Sequence, residues 1–198
     1  MRDVLPLAMT LAYSVAGASL GDVLCKELAP DAPRDAPATM LLAGAAGAAA
    51  LASGGDAAAA VTCSGLTVAA VLDAQSGYLV DELTLSTALL ALLCAGLGGT
   101  PGGAVAAMLA VAGPACVLAF CSQGALLGWG DVKALLGLGA GLGTPHACIA
   151  VGLACASGAL WATLARRREV RFGPFLAGGA VAATLLGAPD VRIGSAFA

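Results

Sequence analysis

Residues 83–130, LTLSTALLALLCAGLGGTPGGAVAAMLAVAGPACVLAFCSQGALLGWG, contain no Asp, Glu, Lys or Arg. A helix that crosses a bilayer needs about 20 mostly apolar residues, so this stretch is long enough for two such helices. Its Gly98-Gly-Thr-Pro-Gly-Gly103 segment carries the glycine and proline signals of a turn between them. The stretch therefore predicts two consecutive membrane crossings.

The rest of the chain has the same character. Its 198 residues are 60% hydrophobic and 11% charged, with a mean hydropathy of +0.94, whereas a soluble domain is about 25% charged. We predict an all-α, polytopic membrane helix bundle of six to eight helices, most simply eight, in one integral-membrane domain over residues 1–198. The predicted helices are residues 5–24, 39–54, 57–72, 83–98, 103–127, 131–143, 147–165 and 175–187.

Basic residues predict the orientation of this bundle. Arg166-Arg-Arg168 and Arg171 form the densest basic cluster, which the positive-inside rule assigns to the cytoplasmic side. Because successive crossings alternate in direction, loops two crossings apart share a side. The residues expected on the cytoplasmic side with this cluster are Lys26, Arg34, Asp73, Asp81, Glu82, Asp131 and Lys133, and those expected on the opposite side include Asp56, Thr100 and His146. The chain is thus expected in the cytoplasmic membrane, with its loop acids facing the cytoplasm.

Asp73 and Asp131 each stand at the end of an apolar run. An acidic side chain next to lipid is costly, and a membrane protein that retains one usually uses it. Two carboxyl groups that share one proton supply a base to activate water and an acid to protonate a leaving group. Gly128 and Gly130 flank Trp129 just before Asp131, and their lack of side chains would let a peptide backbone approach. We predict an aspartyl peptidase site, although plain interfacial charges remain an alternative.

Three motifs carry a resemblance to a known family. Asp73 is followed eight positions later by a second acid in Val80-Asp-Glu-Leu-Thr-Leu85, and Gly128-Trp-Gly-Asp-Val-Lys133 and Arg171-Phe-Gly-Pro-Phe-Leu-Ala177 come next in the chain. In this order the motifs resemble those of the type 4 prepilin leader peptidases, which are aspartyl proteases of the GxGD type. The resemblance covers most of the chain and is firm over residues 71–187.

The resemblance implies that Asp73 and Asp131 are the catalytic dyad of an endopeptidase. It would remove the leader peptide from type IV prepilins or pseudopilins at the cytoplasmic membrane face, before pilus or type II secretion assembly. The expected partners are this substrate, with its basic leader and apolar helix, and the lipid bilayer; no oligomeric state is assigned. Substrate-binding or supporting roles are expected for Gly128, Gly130, Lys133, Asp81, Phe172, Gly173 and Pro174.

The chain departs from the family pattern in two ways. Many members carry paired Cys-x-x-Cys motifs in a cytoplasmic insertion linked to N-methylation, where this chain has only a short loop over residues 25–38 and no Cys-x-x-Cys. We therefore expect no zinc, no other cofactor and no N-methyltransferase activity. Val80 and Arg171 replace prolines of the family motifs, and we expect both changes to loosen the loops and to alter substrate choice or lower activity.

Other readings of the same residues remain open. Asp81 is also explained as a helix-start residue and Lys133 as a positive-inside anchor. A catalytically degenerate scaffold of pilus or secretion assembly would keep the same motifs. A small ion-coupled transporter would favour acids in mid-helix and an internal repeat, and the sequence has neither. The sequence has no phosphate-binding loop and no basic surface suited to nucleic acid, so no nucleic-acid partner is expected.

Overall fold

The protein is described by a computed structural model that covers residues 36–76, 79, 81–124, 126–166 and 170–187, together with residues 8, 12 and 15. All regular structure in this part of the chain is helical, which confirms the all-α prediction. The helices are α1 (Ala36–Ala52), α2 (Ala57–Ser76), α3 (Asp81–Leu97), α4 (Pro101–Cys121), α5 (Trp129–Ala165) and α6 (Gly173–Leu185). Three of them, α2, α4 and α5, have the length and apolar composition needed to cross a membrane.

The described residues thus form a helical membrane bundle of six helices, and they do not support the count of eight. The predicted helix over residues 5–24 lies outside the described residues, except for the three isolated positions, which are helical. The predicted helices over residues 131–143 and 147–165 together make up α5. The remaining five predictions correspond to α1, α2, α3, α4 and α6.

A break at Gly143 divides α5 into two legs, residues 129–142 and 144–165. Gly143 has φ 70° and ψ 168°, a left-handed conformation that suits glycine, and Pro145 follows it without a backbone N–H. Gly143 lies at one end of the bundle, whereas Arg171, only five residues after Arg166, contacts α2 at the other end. Five residues reach at most about 18 Å. The second leg must therefore return toward the end at which the first leg began.

Glycines let the helices cross at very short distances. A Cβ atom added to Gly139 would lie 2.7 Å from the carbonyl oxygen of Ala107 in α4. One added to Gly179 in α6 would lie 2.3 Å from the carbonyl oxygen of Ala150 in the second leg of α5. Small residues at such crossings are the usual means by which membrane helices gain van der Waals contact. The core is accordingly built from small side chains, among them Ala50, Ala59, Ala147, Ala150, Ala154, Ala177 and Ala180.

Buried hydroxyl groups add hydrogen bonds between the helices. The Ser64 hydroxyl donates to the carbonyl oxygen of Ala43 at 2.9 Å and thereby links α2 to α1. The Thr62 hydroxyl donates to the carbonyl oxygen of Gly137 at 3.3 Å and links α2 to the first leg of α5. Each hydroxyl group is thus hydrogen-bonded to another helix, in an environment where lipid offers no partner.

A cavity of about 650 Å³ opens where α5 breaks. Its walls include Asp56 at the start of α2, Thr100 before α4, His146 after the break and Gly187 after α6. These residues mark the opposite end of the bundle from Asp73, which lies near the end of α2. The sequence predicts that Asp56, Thr100 and His146 share one side of the membrane, and the cavity brings them together as expected.

Adjacent glycines in α6 provide a matched test of this packing. Gly179→Ala places a methyl group against the backbone of α5, and we expect it to destabilise the bundle by about 1–3 kcal/mol. Gly178→Ala is the control, because no atom lies within 4 Å of its added Cβ and alanine favours a helix. Thermal unfolding in detergent micelles should show a lower Tm for Gly179→Ala alone. Equal Tm values for the two variants would contradict the close crossing.

Candidate active site

Asp73 lies in the last turn of α2 and is only 6% exposed. Its Oδ2 atom accepts a hydrogen bond from the backbone N–H of Gly173, the first residue of α6, at 3.2 Å. The first N–H groups of a helix have no partner within the helix and carry a partial positive charge, which suits a carboxylate. A Cβ atom added to Gly173 would lie 2.7 Å from Oδ2, so this close approach requires glycine.

Asp131 lies in the first turn of α5, directly after the helix begins at Trp129. Gly128 caps this helix, and its backbone N–H interacts favourably with the Asp131 carboxylate. Gly128 is exposed, and among the described residues that are not its chain neighbours only Oδ2 of Asp131 comes within 4 Å of its added Cβ, at 3.4 Å. The space beside Gly128 is therefore open to a ligand that reaches Asp131.

The structure brings Asp73 and Asp131 together at one end of the bundle, where the two carboxyl groups interact electrostatically. Leu79, in the segment between α2 and α3, packs against the neighbours of both. Its Cβ atom would lie 3.0 Å from a Cβ added to Gly130, and its Cδ1 atom 3.1 Å from one added to Gly173. We name this end, with Asp73, Leu79, Asp131 and Gly173, the aspartate end.

Leu79 also changes the interpretation of Gly130. The sequence predicts that Gly130 leaves room for a peptide backbone, but Leu79 fills the space beside it. Leu79 is not among the predicted site residues, because it carries no polar group. Its position as an apolar residue in a short connection between two helices is the signal that could have found it.

An ion pair joins α3 to α5 beside the aspartates. Lys133 Nζ contacts Oδ2 of Asp81, and the two side chains are 28% and 53% exposed. Asp81 begins α3, which agrees with its interpretation as a helix-start residue. Because an exposed pair contributes little to stability, its main effect here is to keep the start of α3 next to the first turn of α5.

The third motif surrounds the start of α6. Phe172 caps this helix and is half-buried against the main apolar core, and Pro174 occupies the first turn, where proline needs no hydrogen-bond donor. Gly173, between them, is the member of this motif that bonds to Asp73. Phe172 and Pro174 therefore position Gly173 for that contact.

The loop that contains Arg171 is held in place, whereas the sequence predicts that it is loosened. Its Nη1 atom donates hydrogen bonds to the carbonyl oxygens of Asp73, at 3.1 Å, and of Ala74. These hydrogen bonds attach the loop between α5 and α6 to the end of α2. Val80, the other replaced proline, and Tyr78 lie outside the described residues.

No group of three His, Cys, Asp or Glu side chains that could hold a metal ion occurs among the residues that the structure describes. Six cysteines in this part of the chain are free thiols: Cys63, Cys94, Cys116, Cys121, Cys148 and Cys155. Cys25 falls outside it. The groups described at the aspartate end are the carboxyl pair, its backbone donors and the cationic side chains of Lys133 and Arg171.

Comparisons with known proteins point to one family. The profile described as "Type IV leader peptidase family" matches residues 60–163, which include both aspartates. Two proteins named "Prepilin leader peptidase/N-methyltransferase", from Burkholderia pseudomallei strains 1026b and K96243, are 36% identical to the chain over 173 residues. Each match covers 77% of this chain and 55% of the relative, so the chain spans about half the length of these curated relatives.

No solved structure matches the chain. The family match extends over more than half of the sequence and contains the segment from α2 to the second leg of α5. The apolar helices and this match together identify an integral membrane protein. The chain belongs to the type IV leader peptidase family.

Proposed function

We propose that this protein is an aspartic endopeptidase that removes the leader peptide from type IV prepilins or pseudopilins, with Asp73 and Asp131 as its catalytic residues. The observation that carries the proposal is the meeting of these two carboxyl groups at one end of the bundle, where Asp73 accepts a hydrogen bond from the N–H of Gly173 and Asp131 interacts with the N–H of Gly128. Family membership supports prepilin processing in general. The dyad is our assignment.

The proposed reaction needs one proton on the pair. Two adjacent carboxylates repel each other, which favours a state in which one is ionised and the other protonated. The ionised group takes a proton from water as the water oxygen bonds to the scissile carbonyl carbon. The protonated group gives its proton to the leaving nitrogen as the C–N bond breaks. Each cycle consumes one water molecule and restores the shared proton.

The surroundings of the dyad suggest how a peptide is held. Gly128 is exposed beside Asp131, and we propose that the scissile backbone approaches there. Gly173 holds Asp73 by its N–H, while Phe172 and Pro174 support it from the start of α6. The pair formed by Lys133 and Asp81 fixes the first turn of α5, and Gly130 accommodates Leu79.

The location of the site is also a proposal. Arg166-Arg-Arg168 and Arg171 belong to the segment that leads to the aspartate end, and the positive-inside rule favours the cytoplasm for such a segment. We propose one integral-membrane domain over residues 1–198 in the cytoplasmic membrane, in which residues 5–24 add a crossing and the two legs of α5 count separately to give eight. The substrate would place its basic leader in the cytoplasm and its apolar helix in the bilayer.

We propose peptidase activity alone. The name of the relatives also includes N-methyltransferase. The seven cysteines of the sequence contain no Cys-x-x-Cys pair, the spacing that commonly binds zinc. We therefore propose a reaction without a cofactor, which leaves the new N-terminus of the substrate unmethylated.

Replacement of either aspartate tests the dyad. Asp73→Asn and Asp131→Asn keep the shape of the side chain but remove its acid–base function, so each should lower kcat by at least about 100-fold. The measurement is mass spectrometry of a synthetic prepilin incubated with purified enzyme in detergent micelles.

Asp56→Asn is the matched control, because Asp56 caps α2 at the opposite end of the bundle and asparagine caps equally well. It should cleave at the wild-type rate, and all variants should keep the wild-type Tm. Cleavage by a folded Asn variant at more than a tenth of the wild-type rate would refute the dyad. A folded wild-type protein that cleaves nothing would favour the scaffold.

Orientation can be tested with single cysteines in a cysteine-free background. Arg166→Cys reports the end toward which the second leg of α5 returns, and Thr100→Cys reports the opposite end. In intact spheroplasts, a membrane-impermeant maleimide should label Thr100→Cys, and it should label Arg166→Cys only after lysis. The reverse pattern would refute a cytoplasmic active site.

A further inference from the structure

Arg171 makes a long-range polar contact at the end of α2. It lies in the loop between α5 and α6, yet its guanidinium group donates to the main-chain carbonyl oxygens of Asp73 and Ala74, 98 and 97 residues earlier. The Arg171 side chain is otherwise exposed. Its hydrogen bonds therefore connect two segments that no turn or short loop brings together.

The carbonyl groups that Arg171 binds need such a donor. α2 ends at Ser76, so Asp73 and Ala74 belong to its last turn, where carbonyl groups lack partners within the helix. The same helix end carries a partial negative charge that favours a nearby cation. Arg171 supplies both the donors and the charge. It acts as a C-terminal cap of α2 contributed by a distant part of the chain.

Asp73 is thereby held from two sides by one loop. Arg171 binds its main-chain carbonyl oxygen, and the N–H of Gly173, two residues later, binds its carboxylate at 3.2 Å. Gly173 is itself fixed, because Leu176 and Ala177 bury the following turn of α6 in the core. The position of the carboxylate relative to Asp131 therefore depends on how α2 is aligned with the start of α6.

We propose that Arg171 is a positioning residue, which sets this alignment and so places the Asp73 carboxylate for peptide cleavage. The inference rests on the proposed catalytic role of Asp73. Arg171 occupies a position where the resembled motif has proline, and its hydrogen bonds supply the restraint that a proline ring would provide through its fixed φ angle. Arginine suits the task because its planar, permanently charged group presents several donors in a fixed geometry.

Substitutions at Arg171 separate this role from a purely structural one. Arg171→Met keeps an unbranched apolar stem and removes the guanidinium donors, and a misplacement of catalytic groups by about 1 Å can cost up to about 100-fold in rate. We expect kcat for synthetic prepilin to fall at least about 10-fold, while KM stays within about twofold because substrate contacts are kept. Arg171→Lys, which restores one charged donor group, should recover kcat to within about threefold of wild type.

Arg166→Met is the matched control, because Arg166 is an exposed arginine of the same basic cluster at the C-terminal cap of α5. It should leave kcat unchanged. Three results would each overturn the inference: a kcat for Arg171→Met within twofold of wild type, an Arg171→Lys variant no better than Arg171→Met, or an equal loss in Arg166→Met. If Arg171→Met does not fold, as judged by its Tm in micelles, the lysine variant is compared with Arg171→Gln, whose shorter and uncharged amide should support a lower kcat than lysine; equal kcat values would overturn the inference.

Different results would reject the positioning role of Arg171 and the proposed function. Asp73→Asn is assayed beside the Arg171 variants with the same substrate. Inactive Asp73→Asn together with fully active Arg171→Met would reject the positioning role and keep the proposed dyad. Active Asp73→Asn would reject the proposed function itself.

Discussion

A carboxylate near the end of a membrane helix needs a hydrogen-bond donor that lipid cannot supply. For Asp73 that donor is the backbone N–H of Gly173, and the rest of the aspartate end depends on this contact. It requires a glycine, because any side chain would collide with the carboxylate. It also requires α6 to begin beside the end of α2, which the packing of α6 against α2 and α5 secures.

The sequence is sufficient to predict the helices and the two aspartates. Charge-free runs separated by charged or glycine-rich segments mark the bundle, since lipid excludes charge and most turns need glycine or polar residues. The acids stand out because an acid at the end of an apolar run is costly. The number of crossings between them, together with the basic residues, predicts only that they share one side of the membrane.

Other features depend on three-dimensional contacts that the sequence does not encode locally. Leu79 has no chemistry of its own, and its importance lies in the two glycines that it touches. For Arg171, comparison with the family motif predicts only that a restraint is lost with the proline. The hydrogen bonds of Arg171 could not be predicted, because their acceptors are main-chain carbonyl groups almost a hundred residues away. Backbone acceptors are the same at every position, so no residue pattern can identify them as partners.

The return of α5 at Gly143 has a mechanical consequence. The two legs of this helix deliver Asp131 and, through the loop that follows, Gly173 to the same place, while their junction lies at the far end beside the cavity. A leg of 22 residues is about 33 Å long, so a 5° change of tilt at the junction would displace its tip by about 3 Å. That displacement exceeds the tolerance of a hydrogen bond. A change in the shape of the far cavity that tilted either leg would therefore be felt at the aspartate end, although the cavity touches neither aspartate.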